Sequence, residues 1–227
     1  MSLAERLGDA RERIANAARA AGRSADDVKL IVVTKNHPVQ LVFDLLDLGA
    51  RDFGENRDQE AAPKAAEVRS VSPIVHNWHF IGQLQSNKAK SVVAYASSIH
   101  SLDRQSLLDA LGRATSDRES PLDVFIQLNL TDDPGRGGIR DANLLAFAEN
   151  VLGHPGLNLV GVMGVAALDK QLERDFGLIR AASEKLQSLK PSANQISAGM
   201  SEDFETAIAF GATHVRIGSA ITGKRQY

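Results

Sequence analysis

A lysine just after a buried strand is the residue best placed to do chemistry in this sequence. The apolar run Leu30–Val33 is followed closely by Lys35, and Pro38 comes three residues later. Such a run is typical of a strand in a parallel sheet, and proline favours the first turn of a helix. The pattern therefore predicts that Lys35 lies at the carboxyl end of a strand, where α/β folds keep their sites.

Two kinds of behaviour fit a lysine in that place. Burial lowers the pKa of a lysine amine in general, and a neutral amine can attack a carbonyl group to form a Schiff base. The competing interpretation is that the stem of Lys35 packs at the strand end while its ammonium group reaches solvent. The local pattern leaves both open.

Two loops of small residues near the C-terminus could hold a phosphate group. Residues 197–201 (SAGMS) follow the seventh predicted strand, and we expect Ser201 to be the N-cap of the next helix. Residues 216–219 (RIGS) end the eighth strand and repeat the small-residue pattern. Helix starts expose unpaired N–H groups, and barrels hold phosphates after strands seven and eight. Plain helix capping is the alternative for each loop.

Arg216 is a second charged residue predicted to point inward. It shares one face of the eighth strand with His214, because the two residues are two positions apart. A buried guanidinium group needs partners. Those partners are either a barrel carboxylate, such as Glu55 or Asp103, or a ring nitrogen or anionic group of a bound ligand.

Other polar residues at strand ends carry weaker signals. Asn56 ends the FGEN stretch of the second strand and is predicted to lie beside Lys35, although asparagine at this place is often a helix cap. We expect His79 to be a hydrogen-bonded core residue. The six histidines show no metal-ligand spacing, and the absence of cysteine excludes disulfides, thiolate metal sites and cysteine nucleophiles.

Alternating strand-like and helix-like segments must position these residues. We predict strands over residues 29–33, 50–53, 78–81, 98–101, 123–129, 157–165, 195–198 and 214–217. We predict helices over residues 38–48, 57–68, 86–94, 104–115, 141–152, 170–189 and 201–210, after an N-terminal helix that ends near Gly22. This order predicts a single domain over residues 1–227, a closed (β/α)8 TIM-type barrel with an extra N-terminal helix. An open doubly wound sheet is the alternative.

Composition narrows the class of protein. The 227 residues are 43% hydrophobic and 24% charged, with a net charge of -2, which gives no sign of a nucleic-acid partner. The arginine-containing N-terminus lacks the apolar segment of a secretory signal, and no run approaches a membrane span. We therefore expect a soluble, cytoplasmic protein. The irregular segment 131–138 is expected to lie over the same face as Lys35.

Six stretches spread along the chain match one known pattern. They are residues 32–38 (VVTKNHP), 53–56 (FGEN), 78–88 (WHFIGQLQSNK), 99–103 (IHSLD), 199–203 (GMSED) and 215–219 (VRIGS). Together they resemble the pyridoxal phosphate homeostasis protein family, the small single-domain relatives of the alanine racemase barrel. The resemblance runs from the first helix to the end of the chain.

The resemblance implies a barrel that carries pyridoxal 5'-phosphate (PLP) as an aldimine on the lysine of the first strand, here Lys35. Arg216 would face the pyridine nitrogen, and Asn56 would lie near the ring. The family commonly reads Ser-Met-Gly-Met-Ser where this chain has Ala198 in place of the first methionine. The residues implied to hold the phosphate are Ser201 and the backbone of Met200, Gly218 and Ser219.

The resemblance leaves open whether the protein catalyses a reaction. A pyridine nitrogen kept protonated makes PLP a strong electron sink, whereas an arginine beside it keeps it unprotonated. Racemases of this type also use a tyrosine from another domain, and this chain contains only Tyr95 and Tyr227. We therefore favour a monomeric carrier for intracellular PLP homeostasis and delivery, with other B6 vitamers and PLP-dependent apo-enzymes as further partners. The alternatives are a slow amino-acid racemase and a cofactor-free barrel enzyme that attacks a sugar phosphate with Lys35.

Overall fold

Eight parallel strands close into a barrel in the computed structural model, which describes residues 1–131, 137–167 and 171–223. Each strand pairs with the next along the chain, and β1 pairs with β8 to close the ring. The predicted TIM-type barrel is confirmed, and the doubly wound alternative is wrong. The strands are β1 (Lys29–Val33), β2 (Asp52–Glu55), β3 (Asn77–Phe80), β4 (Ser98–Leu102), β5 (Leu122–Gln127), β6 (Leu157–Met163), β7 (Gln195–Ser197) and β8 (His214–Ile217).

Helices surround the barrel and bury one side against the strands. They are α1 (Leu3–Ala20), α2 (Val39–Asp47), α3 (Asp58–Val71), α4 (Ala89–Val93), α5 (Gln105–Ala114), α6 (Leu144–Leu152), α7 (Leu172–Leu189), α8 (Phe204–Ala209) and α9 (Ser219–Thr222). The main hydrophobic core lies between strands and helices and includes Phe53, Phe80 and Leu107. None of the helices in the described part is long and apolar enough to cross a membrane.

The N-terminal helix is built and anchored by identifiable contacts. A capping box between Ser2 and Glu5 starts α1, which satisfies two N–H groups that the helix itself leaves unpaired. The helix packs against α8 and α9. Arg6 Nε donates to the carbonyl of Ile221 at 2.6 Å, and Arg13 pairs with Glu205 at 2.5 Å. The helix therefore braces the last elements of the barrel.

Strand β2 begins two residues later than the sequence predicted. Gly49 has φ of +79°, and Ala50 N–H donates back to the carbonyl of Leu45 at 2.9 Å. These contacts form a Schellman motif that ends α2. Because the cap uses the N–H of Ala50, that residue is unavailable to the sheet, and the strand starts at Asp52.

The predicted start of α8 is wrong in a way that matters for the candidate site. Ser201 is not the N-cap of this helix, which begins at Phe204. Residues 201–203 form a turn, in which Met200 accepts backbone hydrogen bonds from Asp203 and Phe204 through its carbonyl. Pro38 is likewise the N-cap of α2 rather than its first residue. Residues 132–136 of the predicted loop over the site lie outside the described residues.

Candidate functional site

A cavity of about 790 Å³ lies at the carboxyl end of the barrel, a volume typical of small-molecule sites. Two positively charged side chains, those of Lys35 and Arg216, line it together. The predicted phosphate residues Met200, Ser201, Gly218 and Ser219 line it as well. The fold thus brings together six of the seven residues that the resemblance implied would meet PLP, and the seventh is Asn56.

Lys35 lies two residues beyond the end of β1, in a turn that two hydrogen bonds stabilise. His37 N–H donates to the carbonyl of Thr34 at 3.2 Å, and Asn36 N–H donates to Glu60 Oε2 at 3.0 Å. Asn36 has φ of +60°, a left-handed conformation that asparagine tolerates better than most residues. Lys35 is half-buried, and the turn presents it and His37 to the cavity.

A buried ion pair stabilises the backbone next to Lys35. Lys64, on α3, lies 2.6 Å from Glu55 Oε1 and also donates to the carbonyl of Thr34 at 3.1 Å. The Thr34 hydroxyl donates to the same carboxylate oxygen at 2.8 Å. Both charged side chains are almost fully buried, and burial raises the pKa of Glu55 while the ammonium of Lys64 acts against that rise. The pair ties β1, β2 and α3 together directly behind the turn that carries Lys35.

Gly199 shapes the loop after β7. It has φ of +91°, and a Cβ atom there would approach Phe204 Cα to 2.8 Å. Only glycine therefore fits between this loop and α8 without movement. The loop directs Met200 N–H toward Asp203 Oδ1, which accepts from it at 2.5 Å.

Arg216 is buried, with 5% of its surface exposed, and is held by two oxygens. Its Nη1 donates to Ser197 Oγ at 2.6 Å and its Nη2 to the carbonyl of Gly164 at 3.0 Å. Burial lowers the pKa of Arg216 to about 10, and the charge of Asp203 acts in the opposite direction. The group is thus still a cation at neutral pH.

Neither carboxylate proposed as an ion-pair partner of Arg216 pairs with it. Glu55 faces outward from the barrel to Lys64, and Asp103 pairs with Arg104 at 2.5 Å. The reason for the Glu55 orientation is strand alternation, since its neighbour Gly54 faces the barrel interior instead. The ion-pair interpretation of Arg216 is therefore wrong.

Asn56 follows β2 at the same end of the barrel, but it is not among the described residues that line the cavity. Its backbone packs so closely on Gly82 that a Cβ atom added to Gly82 would clash with the Asn56 carbonyl oxygen. Its Oδ1 is buried, with no hydrogen-bond partner in the described part of the chain. Asn56 was predicted to lie beside Lys35, but of these two residues only Lys35 lines the cavity.

Sequence reasoning missed several contributors to the site. His37 lines the cavity, Ser197 and Gly164 hold Arg216, and Lys64 supports the Lys35 turn. Ser197 belongs to the loop that we expected to hold phosphate. Its place at the end of β7 was the signal that could have pointed to a contact with Arg216. Nothing in the local pattern around Lys64 distinguishes it from a solvent-facing helix lysine.

The sequence matches known proteins over nearly its whole length. Residues 9–226 match the family described as "Alanine racemase, N-terminal domain". A relative from Escherichia coli K12, named "Pyridoxal phosphate homeostasis protein", is 36% identical over 99% of this chain and 97% of its own length. A relative of the same name from Pseudomonas aeruginosa is 37% identical over 100% and 97%. The chain belongs to the pyridoxal phosphate homeostasis protein family.

Solved structures place the family within a wider fold group. PipY of Synechococcus elongatus, solved with PLP bound, is 32% identical, with a TM-score of 0.84 over 98% of this chain and 100% of its own. Alanine racemase from Corynebacterium glutamicum is 16% identical, with a TM-score of 0.67 over 93% of this chain and 60% of its own. The homeostasis proteins thus share the barrel fold with a part of the longer racemase.

One buried histidine, His214, is expected to make this family member less stable in acid. Burial lowers the pKa of His214 to about 3, from an ordinary value of 6.5. Below 6.5 the unfolded chain binds a proton that the native protein does not, so stability is lost as the pH falls toward 3. At pH 5 this one group is expected to cost about 2 kcal/mol relative to neutral pH.

Urea unfolding of the wild type and of His214→Phe at neutral pH and at pH 5 checks this value. The phenylalanine variant is expected to lose about 2 kcal/mol less than the wild type between the two pH values. An equal loss in both proteins would show that His214 takes up its proton in the native state.

Proposed function

We propose that this protein binds PLP at the carboxyl end of the barrel, holds it as an aldimine on Lys35 and serves in intracellular PLP homeostasis and delivery. The observation that carries the proposal is the convergence of Lys35, Arg216 and two small-residue loops on one cavity. The amine would condense with the aldehyde of PLP and release water. The relatives' names and the PLP-bound PipY structure support the same ligand.

Several donors around the cavity fit a phosphate group. Ser201 and Ser219 supply hydroxyl groups, and Gly218 leaves the start of α9 without a side chain. Met200 N–H is engaged by Asp203 in the structure. A phosphate that used this N–H would therefore replace the Asp203 carboxylate as its acceptor.

Arg216 fits the pyridine nitrogen of PLP, because its guanidinium group lines the same cavity. An arginine is always a donor, so a ring nitrogen that accepts from it stays unprotonated. The unprotonated ring withdraws electrons weakly and gives little stabilisation to a carbanion. This favours a carrier over an enzyme of robust activity.

The tyrosines give the carrier function further support. Tyr95 OH donates to Asp58, the first residue of α3, at 3.4 Å. Tyr95 is not among the described residues that line the cavity. Desolvation, together with the negative charge of Asp58, also raises the pKa of Tyr95. Tyr95 is thus not available as the second base that a racemase needs, and Tyr227 lies outside the described residues.

The remaining parts of the proposal concern partners and location. PLP-dependent apo-enzymes would receive the cofactor, and other B6 vitamers that share its ring and phosphate would compete for the cavity. We place the protein in the cytoplasm as a monomer. Competition between PLP and pyridoxamine phosphate, and transfer from loaded protein to an apo-enzyme, are the measurements for this part.

The absorption spectrum of purified protein, before and after borohydride, tests the central proposal. We expect an aldimine band that borohydride removes, with the reduced label on the peptide that contains Lys35. A colourless protein that stays unlabelled after incubation with PLP would overturn it. That outcome would leave a cofactor-free barrel that binds a sugar phosphate.

Ser201→Ala tests the phosphate end of the cavity. If its hydroxyl donates to the phosphate, PLP binding is expected to weaken by about 1–3 kcal/mol in equilibrium titration. Ser91→Ala is the matched control, because the Ser91 hydroxyl donates to Asp58 at 2.9 Å, away from the cavity. Equal affinity of the Ser201 variant and the control would limit the phosphate contacts to backbone and other side chains.

A further inference from the structure

Six polar side chains form a continuous hydrogen-bonded chain through the interior of the barrel. The chain begins at half-buried Asp52, at the amino end of β2, and ends at Arg216 in the cavity at the opposite end. We call this set the core polar chain. In order, its members are Asp52, His79, Ser98, His100, Ser197 and Arg216.

The first half of the core polar chain starts from a carboxylate. His79 Nε2 lies 2.9 Å from Asp52 Oδ1, which also accepts from Asn77 Nδ2 at 3.0 Å. His79 Nδ1 lies 2.7 Å from Ser98 Oγ and 3.0 Å from His100 Nε2. Ser98 Oγ is also 3.0 Å from His100 Nε2. The two imidazoles and the hydroxyl thus form a closed triangle.

The second half of the chain reaches the cavity. His100 Nδ1 lies 2.8 Å from Ser197 Oγ, and that oxygen accepts from Arg216 Nη1 at 2.6 Å. The ring of His100 stacks on Phe125, with centroids 4.3 Å apart, which supports the ring from one face. The core polar chain therefore runs without a break from Asp52 to the cavity.

The Asp52 end determines which nitrogen of each histidine carries the proton. An ionised carboxylate only accepts, so His79 Nε2 must donate, and its Nδ1 must then accept because a neutral imidazole has one N–H. The contact between the two rings is attractive only if His100 Nε2 is the donor. Burial lowers the pKa of both histidines, which keeps both rings neutral.

The Arg216 end is compatible with the same arrangement. A guanidinium group only donates, so Ser197 Oγ accepts from it, and the Ser197 O–H can donate to His100 Nδ1, which lies 2.8 Å away. With that donor, His100 again carries its proton on Nε2. Every donor in the chain points from Arg216 toward Asp52.

We propose that Asp52, His79, His100 and Ser197 are positioning residues that fix Arg216 in the cavity, with Asp52 setting the direction of the chain from the far end of the barrel. The proposal rests on the proposed function only in taking PLP as the ligand that Arg216 meets. Two N–H groups of the guanidinium are anchored, on Ser197 and Gly164, in the part of the chain that the structure describes. The anchored group presents its other donors to a ligand in one orientation.

Loss of Asp52 reverses the chain rather than only weakening it. The Lys29 ammonium lies 3.6 Å from Asp52, and without Asp52 its charge would act on His79 more strongly than the opposing charge of Asp123. A cation favours a lone pair on the nitrogen that faces it, so the His79 proton would move to Nδ1. His100 Nδ1 would then donate to Ser197 Oγ, which would accept from both His100 and Arg216 while its own O–H loses the acceptor it had on His100, and the bond from Arg216 would weaken.

Asp52→Ala, with Asp123→Ala as its control, tests the proposal. Asp123 is matched because it also lies near a strand start, accepts from an asparagine, Asn158 Nδ2, at 2.8 Å, and acts on His79 through its charge alone, whereas Asp52 also accepts a hydrogen bond from that ring. Three quantities are measured at neutral pH. They are the tautomers of His79 and His100 by ¹⁵N NMR of ligand-free protein, the ¹⁵N relaxation of the Arg216 guanidinium, and the affinity and absorption spectrum with PLP.

We expect Nε2–H tautomers in the wild type and in Asp123→Ala. In Asp52→Ala we expect a shift of His79 to Nδ1–H, a more mobile Arg216, a changed PLP spectrum and about tenfold weaker PLP binding. Ser197→Ala should produce the same mobility and affinity changes, and Ser197→Thr should restore both. A wild-type His100 with its proton on Nδ1, or an unchanged Arg216 in Asp52→Ala, would overturn the proposal. Absence of PLP binding by the wild type would overturn the proposed function instead, while both NMR measurements would still decide this one.

Discussion

Lys35→Ala is expected to abolish covalent attachment of PLP completely. The aldimine needs a primary amine, and in the described structure Lys35 is the lysine that lines the cavity. Removal of the amine leaves the arginine and the two small-residue loops, so PLP still binds reversibly through the phosphate and the ring. Borohydride reduction followed by peptide mapping measures the loss, and equilibrium dialysis measures the remaining binding.

Lys90→Ala is the matched control for this experiment. Lys90 lies on α4, is exposed, and does not line the cavity. The control is expected to give the wild-type amount of reduced adduct on the Lys35 peptide. An undiminished adduct in Lys35→Ala, at whatever lysine, would contradict the assignment of the Schiff base to this residue.

The barrel and most of the cavity lining could be predicted from the sequence because they depend on local patterns. Buried strands read as apolar runs, and a residue just beyond such a run must lie at the carboxyl edge. That reasoning placed Lys35, Gly218 and Ser219 without any knowledge of tertiary contacts. Strand alternation likewise predicted that His214 and Arg216 share one face.

The partners of the charged residues could not be predicted in this way. A carboxylate was one of the two kinds of partner expected for Arg216, but the hydroxyl of Ser197 and the carbonyl of Gly164 bind it instead. Main-chain carbonyls carry no sequence signal, and a serine in a strand is compatible with many roles. The start of α8 was misplaced for a related reason, since the backbone turn at 201–203 delays the helix to Phe204.

The site depends on residues far from the cavity because its two basic side chains are held by buried polar partners. Lys35 is held by a turn whose first carbonyl is bound by Lys64, and Arg216 is held by a serine bound to His100. Each cavity cation is therefore positioned by a buried polar group that itself needs a partner. Buried polar networks of this kind are stable only when every member is satisfied. Losing one distant partner can consequently disturb the site as much as losing a direct contact.

The pair behind the Lys35 turn gives the largest expected effect on stability. Lys64→Met removes the cation beside Glu55, a carboxylate that is 1% exposed, and among the described residues leaves it the Thr34 hydroxyl as its one donor. Breaking a buried pair in this way costs about 3–5 kcal/mol of unfolding free energy. Because burial already raises the pKa of Glu55, the variant is stabilised by protonation of this group and becomes less stable as the pH rises. The loss should therefore be smaller at pH 5 than at pH 8.

Urea unfolding separates the contribution of the Lys64–Glu55 pair from the effect of replacing any lysine on the free energy of unfolding. The variants compared are Lys64→Met, Lys185→Met and the double variant Lys64→Met/Glu55→Leu. Lys185 pairs with Asp141 at 2.9 Å on the surface, and its loss is expected to cost about 1 kcal/mol or less. The double variant removes both charges and should recover most of the stability, because an apolar pair leaves no buried charge without a partner. It should not recover the anchoring of the Thr34 carbonyl, so its Lys35 should react more slowly with PLP than in the wild type. A single Lys64→Met variant as stable as the surface control would show that Glu55 finds another donor or water. That result would contradict the role of Lys64 in supporting the Lys35 turn.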